Sequence, residues 1–299
     1  MDLYNIKYSI CNFKIVFNED SKLNYNKTSA IRGIIGQELI SRHCINNKQC
    51  TECLFNYNCL PFNFFNMKLR HALEFLPSDR TPPYIIICDN NKNLIMKGEE
   101  LQFSIIFFSN SISMIPEVIR SIAYAGSDLG LYNKTFDLKE VCNDRSEHIF
   151  KDNKLNINKI KYRYINQYID NRLNISDNVS LIQIVSPIRF KKDGKFANDI
   201  TSEDLINLLV RRIATLNALE GNNIDITNNY QIKIIDKELF WKEKERYSNR
   251  QKNKMKLGGL VGNITIEVND ILTKKLLIAG ELVHIGKSTA FGLGDYILF

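Results

Sequence analysis

Hydrophobic positions change their spacing along the chain, and each change marks an element. "YNIKYSICNFKIVF" at the amino-terminal end is a β-rich run. In "AIRGIIGQELI", Ile31, Ile34, Ile35 and Leu39 fall on one face of a helix. After a cysteine-bearing loop come two strand-like runs, "PPYIIIC" and "LQFSIIFF", then a second helix, "PEVIRSIAYAG". "SDLGLYNKTFDLKEV" closes the set as a glycine-containing turn and a strand. The order is β-α-β-β-α-β, and the second half repeats it. "VSLIQIVSPIRF" is a strand, followed by the helix "SEDLINLLVRRIATLNAL", with Leu205, Leu208, Leu209, Ile213 and Leu216 at core spacing and Ser202 as its expected N-cap. "YQIKIID" and "LVGNITIEV" are strands, "DILTKKLLIAGEL" a short helix and "DYILF" the final strand.

The pattern predicts an α+β protein of two tandem ferredoxin-like (RRM-like, βαββαβ) domains, over 1–155 and 178–299. A polar stretch lies between them, and its aromatic residues predict partial order. A chain of 299 residues has room for two such cores. With 44% hydrophobic and 24% charged residues it has the composition of a soluble globular protein. No apolar run approaches the length that crosses a bilayer. "MDLYNIKYSI" has no basic start and no continuous apolar core, so it does not read as a signal peptide. The expectation is a cytoplasmic protein with no membrane partner. A net charge of +7 mildly favours an anionic one.

Cysteine usage sharpens the picture. Cys44, Cys50, Cys53 and Cys59 form a C-x5-C-x2-C-x5-C array in "CINNKQCTECLFNYNC". The two-residue spacer lets Cys50 and Cys53 present both sulfurs to one tetrahedral ion, and the flanking pair completes a structural zinc site. A cluster or unmetallated thiols are the alternatives. Disulfides do not suit a cytosolic chain of this size. Cys11, Cys88 and Cys142 lie in apolar surroundings and read as small core residues.

Near the carboxy-terminal end stands "GELVHIGKSTAFGLGDY". A Walker A loop is excluded by spacing, because five residues separate Gly280 from Gly286 where four are needed. What remains is a glycine-rich turn between helix and strand. Gly286, Gly292 and Gly294 permit close backbone approach, and exposed N–H groups there make a concavity for oxyanions, with charge from Lys287. A plain tight connection without a ligand is the alternative. The preceding segment, "FWKEKERYSNRQKNKMKLGGLVG", tips the balance. Between Lys242 and Lys256 it carries seven Lys or Arg against Glu243 and Glu245, interleaved with Trp241 and Tyr247. Bases stack on rings and guanidinium planes while phosphates take the cations, so the mixture suits single-stranded or hairpin RNA.

These blocks, together with "SPIRFKKDGKF" and "LLVRRIATL", resemble in their order the CRISPR-associated endoribonucleases of the RAMP superfamily, which cut precursor CRISPR RNA within its repeats. The resemblance covers nearly the whole chain and is most specific in the carboxy-terminal blocks. It implies the same tandem fold and a metal-independent cleavage, in which the ribose 2′-hydroxyl attacks the adjacent phosphorus. The ends would be a 2′,3′-cyclic phosphate and a 5′-hydroxyl. His284 is the first choice for general acid or base, Lys287 for holding the scissile phosphate and Tyr247 for orienting the 2′-hydroxyl. Relatives often place a catalytic histidine near the first helix, which points to His43, also a neighbour of the cysteine array. Arg246, Arg250, Lys252 and Lys254 would grip the repeat backbone, with Gly286, Ser288, Gly292 and Gly294 forming the phosphate-receiving bend. Arg32, Arg211 and Arg212 are weaker candidates, and His71 and His148 read as ordinary surface residues. Repeat RNA and a CRISPR effector complex are the implied partners. Two alternatives stand beside this: an effector subunit that binds guide RNA without cutting it, and a zinc-dependent DNA-binding module.

Overall fold

Strand β1 (Lys7–Phe17) sets out the first sheet. Cys11, Phe13, Ile15 and Phe17 are buried on one face, whereas Asn12 and Lys14 reach solvent on the other. The computed structural model describes residues 2–23, 26–50, 52–76, 78–175, 179–222, 229–243, 245–248 and 253–299. The chain divides into two units. One comprises Tyr8–Lys68 and Ser78–Tyr162, the other Met1–Lys7, Leu69–Pro77 and Arg163–Phe299.

In the amino-terminal unit, β1 is followed by α1 (Lys27–His43), α2 (Leu60–Asn66), β2 (Tyr84–Ile87), β3 (Glu100–Phe108), α3 (Ile115–Asp128), β4 (Phe136–Asn143), β5 (His148–Lys151) and β6 (Lys154–Leu155). The antiparallel sheet runs β6-β5-β4-β1-β3-β2. Its β4-β1-β3-β2 portion is the ferredoxin-like order, first and third strands at the centre. Ile31, Ile35 and Leu39 of α1, with Val118, Ile119 and Ile122 of α3, are fully buried. Each such side chain contributes about 1.5–3 kcal/mol by leaving water.

The carboxy-terminal unit contains α4 (Ile165–Ile175), β7 (Leu181–Ile188), β8 (Lys191–Lys192), β9 (Lys195–Phe196), α5 (Ser202–Glu220), β10 (Lys233–Lys242), β11 (Glu245–Ser248), β12 (Asn253–Lys256), β13 (Gly259–Glu267), α6 (Ile271–Val283) and β14 (Tyr296–Leu298). Its sheet runs β10-β13-β7-β14, the same order again. The protein is therefore α+β, with tandem ferredoxin-like domains. Among the described residues, no helix is long and apolar enough to cross a membrane.

Three local features differ from the sequence expectation. The N-cap of α5 is Thr201, not Ser202. Thr201 Oγ1 accepts the Asp204 amide (3.1 Å) while Asp204 accepts the Thr201 amide (3.0 Å), a reciprocal box that satisfies two helix-end donors. Ser202 instead accepts a hydrogen bond from the Ile234 amide. The polar stretch between the halves is divided: β5 and β6 extend the first sheet, and α4 joins the second unit. There the Arg172 guanidinium donates to the Leu298 carbonyl (2.7 Å) and lies 3.5 Å from the Glu281 carboxylate. Finally, the β8–β9 hairpin directly follows β7, in a stretch with no strand signal of its own.

Candidate nucleic-acid interface

Helix α6 ends at Val283, and His284, at φ 53°, turns the chain out of the helix. The bend that follows is tied to the chain leaving β7. Ile285 N–H donates to the Gly294 carbonyl (3.0 Å), Gly294 N–H to the Pro187 carbonyl (3.1 Å) and Lys287 N–H to the Arg189 carbonyl (2.6 Å). Glycine is needed at two of these points. Gly286 has φ +84°, and a Cβ there would lie 2.6 Å from the Arg189 carbonyl oxygen. Gly294 has φ +80°, and a Cβ would overlap the Ile285 carbonyl.

This geometry corrects part of the predicted phosphate-binding set. The N–H groups of Gly292 and Gly294 are engaged inside the bend, by Thr289 and Pro187, and Gly294 is buried. Both shape the turn rather than face a ligand. Lys287 is exposed, flanked by half-exposed Gly286 and Ser288.

His284 is the larger correction. Its side chain is 1% exposed. Nδ1 donates to the Leu293 carbonyl (3.3 Å), and Nε2 lies 3.5 Å from Asp295 Oδ1. Oxygens at both ring nitrogens would suit an imidazolium. Burial and the Arg212 guanidinium nearby oppose that charge more strongly, because the Asp295 contact is long, and they push the pKa down to about 3. The ring is thus neutral, with its proton on Nδ1. The ring is out of reach of solvent, a setting that does not favour general acid or base work. It ties the end of α6 to the far side of the bend. Arg212 is structural too: its Nε donates to the Val283 carbonyl (2.8 Å) at the helix end, and burial pushes its pKa down to about 10. Arg32 donates to Tyr84 Oη and stacks over Phe65, and Arg211 lies over Phe75.

Sequence reasoning missed the residue that organises this surface. Arg189 receives Lys287 N–H on its carbonyl, and its side-chain Nη1 donates to the Gly258 carbonyl (2.9 Å). Gly258 N–H in turn donates to Glu243 Oε1 (3.0 Å), and Glu243 also accepts Trp241 Nε1–H (3.2 Å). Trp241, Glu243 and Gly258 form the foot of the β11–β12 hairpin, in which Arg246 faces Met255 and Tyr247 faces Lys254 across the strands. Arg189 therefore joins the glycine bend to the foot of the basic hairpin. Arg246, Tyr247 and Lys254 occupy that hairpin as expected, whereas Arg250 and Lys252 lie outside the described residues. The available signal was an arginine between a strand end and a Lys-Lys-Asp-Gly-Lys turn.

In the amino-terminal unit, His43 ends α1 with Nε2 3.3 Å from Glu117 Oε2 and about a third of its side chain exposed (32%). Glu117 also pairs with Arg120.

His43 and all four cysteines of the array line a cleft of about 300 Å³. The thiols are free, and the expected tetrahedron of sulfurs is not formed. Among the described residues, the group whose ligand atoms all lie within 4.8 Å of one another is Glu140, Cys142 and His148. The cysteine loop is instead folded on its own amides. Cys44 Sγ accepts the Lys48 N–H (3.3 Å), and Asn56 Nδ2 donates to the Cys50 carbonyl (3.3 Å), which holds the sulfurs along the wall of the cleft. N–H donation from Asn46 and Lys48 lowers the pKa of the Cys44 thiol.

A further expectation fails in this unit: Cys88 and Cys142 are only half-buried, unlike Cys11. His148 is exposed, as expected, with Nδ1 3.2 Å from Cys142 Sγ. The ammonium groups of Lys14, 2.9 Å from Glu140 Oε1, and Lys151, 3.3 Å from His148 Nε2, flank that cluster.

Residues 6–162 match the family model AF_1859_N, an N-terminal domain, and residues 182–296 match the model of the CRISPR-associated endoribonuclease Cas6. No curated protein matches the chain. Among solved structures it is similar to a chain of a partial Cas6-RT-Cas1–Cas2 complex, at TM-score 0.60 and 13% identity, covering 98% of this chain and 46% of that one. It is similar to a Cas6 product complex at TM-score 0.56 and 11% identity, covering 98% of this chain and 100% of the other. A Thermus thermophilus Cas6 matches at TM-score 0.52 and 8% identity, over 98% and 99% of the two chains. At such identities the likeness is one of fold. The chain spans less than half of its Cas6-RT-Cas1–Cas2 relative, at 46%.

Proposed function

We propose that this chain, whose residues 182–296 match the CRISPR-associated endoribonuclease Cas6 model, cleaves precursor CRISPR RNA within the repeats and does so without a catalytic metal. What supports this reading is the chain of contacts from Lys287 through Arg189 to Gly258, which links a glycine bend bearing an exposed lysine to the foot of a hairpin whose sequence is rich in Arg and Lys. Such a surface suits a ribonucleotide strand, with phosphates on the cations and bases against Trp241 and its neighbours.

The reaction supplies its own nucleophile. A base takes the 2′ proton, the 2′ oxygen bonds to phosphorus, the bond to the 5′ oxygen breaks and an acid returns a proton to it. Nothing is oxidised and no water is consumed. In-line positioning supplies much of the rate. Lys287 is assigned to the scissile phosphate, where it offsets the phosphorane charge. Proton transfer is assigned to His43, whose side chain is about a third exposed (32%) and whose Nε2 lies 3.3 Å from Glu117. Tyr247 is assigned to the 2′-hydroxyl or to stacking.

The test is incubation of a 5′-labelled cognate repeat RNA with the protein in EDTA. A cyclic-phosphate product supports the reading. His43→Ala is expected to slow cleavage by about 10²–10⁴-fold while changing RNA affinity by no more than about 3-fold. Tight binding of intact RNA would establish the non-cleaving effector subunit instead.

A further inference from the structure

The β8–β9 hairpin has no part in the chemistry above, yet it presents an unusual surface. Phe196 stands directly across from Lys191, and the residue is 38% exposed. The Arg189 guanidinium covers the ring at 3.6 Å from its centroid, and the Lys191 ammonium lies 5.4 Å from the same point. Arg189 cannot swing away freely, because Nη1 is held by the Gly258 carbonyl and the residue's own carbonyl holds Lys287 N–H. Lys192, on the opposite face of the hairpin, is neutralised by Asp204 at 3.2 Å. The exposed ring therefore lies on a guanidinium held in place, beside Lys191, for which no carboxylate partner is found among the described residues.

We propose that Phe196 is a stacking platform for one unpaired base of the RNA, with Arg189 as the fixed layer beneath it and Lys191 taking the phosphate attached to that base. This deepens the ribonuclease reading and rests on it for the identity of the strand. A base laid on the open part of the ring extends an arginine–aromatic stack, which every base can do through its π-face, and purines do better because they overlap more. The lysine across the strand then meets the backbone of the same nucleotide. Phe196 is a positioning residue here, since it touches the substrate away from the reacting atoms.

The experiment measures anisotropy of fluorescein-labelled oligoadenylate and oligouridylate RNAs of about 12 nucleotides, titrated with full-length protein at salt from about 50 to about 200 mM KCl. Phe196→Leu, which keeps apolar bulk and loses the ring, is expected to weaken oligoadenylate binding by about 10-fold and oligouridylate binding by less, with the salt slope unchanged. Lys191→Ala is expected to weaken both RNAs alike and to reduce the slope by about 0.7, the value for one phosphate on a single strand. Phe196→Trp keeps a platform and should bind oligoadenylate at least as tightly as the wild type. That variant decides the matter should Phe196→Leu fold poorly. Wild-type affinity for both RNAs in Phe196→Leu, or equal losses on the two RNAs in both Phe196 variants, overturns the platform. Cleavage of the repeat RNA is scored beside these titrations. Intact repeat with the stacking signature overturns the nuclease and keeps the platform, whereas normal cleavage with no effect at Phe196 does the reverse.

Discussion

At the end of α6 the His284 ring is buried against Leu293, Asp295 and Arg212, although its neighbours Gly286 and Lys287 are the kind that accompany catalysis. Burial is a property of what packs around a residue, and nothing local in "LVHIG" announces it. The neutral ring has a measurable consequence. Its folded pKa, about 3, lies below the ordinary 6.5, so its contribution to stability is complete above pH 6.5 and is lost as the pH falls toward 3. The slope approaches about 1.4 kcal/mol per pH unit in that window. Glu281 works in the opposite sense, because burial raises its carboxyl pKa. The comparison is therefore between wild type and His284→Gln. Urea midpoints followed from pH 7 downward should fall more steeply in the wild type than in the variant, and parallel curves would contradict the neutral, buried ring. Arg189 was missed for the complementary reason. Its identity is ordinary, and only the Gly258 carbonyl and the Lys287 N–H that it links give it a role.

Elements were far more legible than side-chain roles. The 3.6-residue spacing of Ile31, Ile35 and Leu39 and of Leu205, Leu209 and Ile213 marks helices whose buried faces are those same residues. Central strands could be read because they are long and apolar. The β8–β9 hairpin and α4 could not, because short or polar elements gain their order from neighbours: Arg189 on Phe196 in one case, Leu298 and Glu281 in the other. Helix ends fall between. Both Thr201 and Ser202 are good caps, and the choice is made by Asp204, which can return a hydrogen bond only to Thr201. Thr201→Ala is expected to destabilise the protein by about 1 kcal/mol, read from the urea midpoint, and Ser202→Ala by less. The reverse order would show that Ser202 caps α5.

At the scale of the whole molecule, the sequence pattern stated twice becomes two sheets with one strand order. The fold repeats, but the chemistry does not. The amino-terminal unit holds the His43–Glu117 pair and the cysteine cleft, and the carboxy-terminal unit holds the glycine bend and the basic hairpin. A likeness of fold at 8–13% identity says nothing about which of these contacts RNA. The central claim is that bend and hairpin, joined through Arg189, hold one RNA strand. Amide hydrogen exchange with and without saturating repeat RNA, blocked by a 2′-deoxy nucleotide at the cleavage position, tests it directly. Slowed exchange in peptides covering both 284–292 and 241–258 is the predicted result, and RNA-bound protein with either segment unchanged would contradict it.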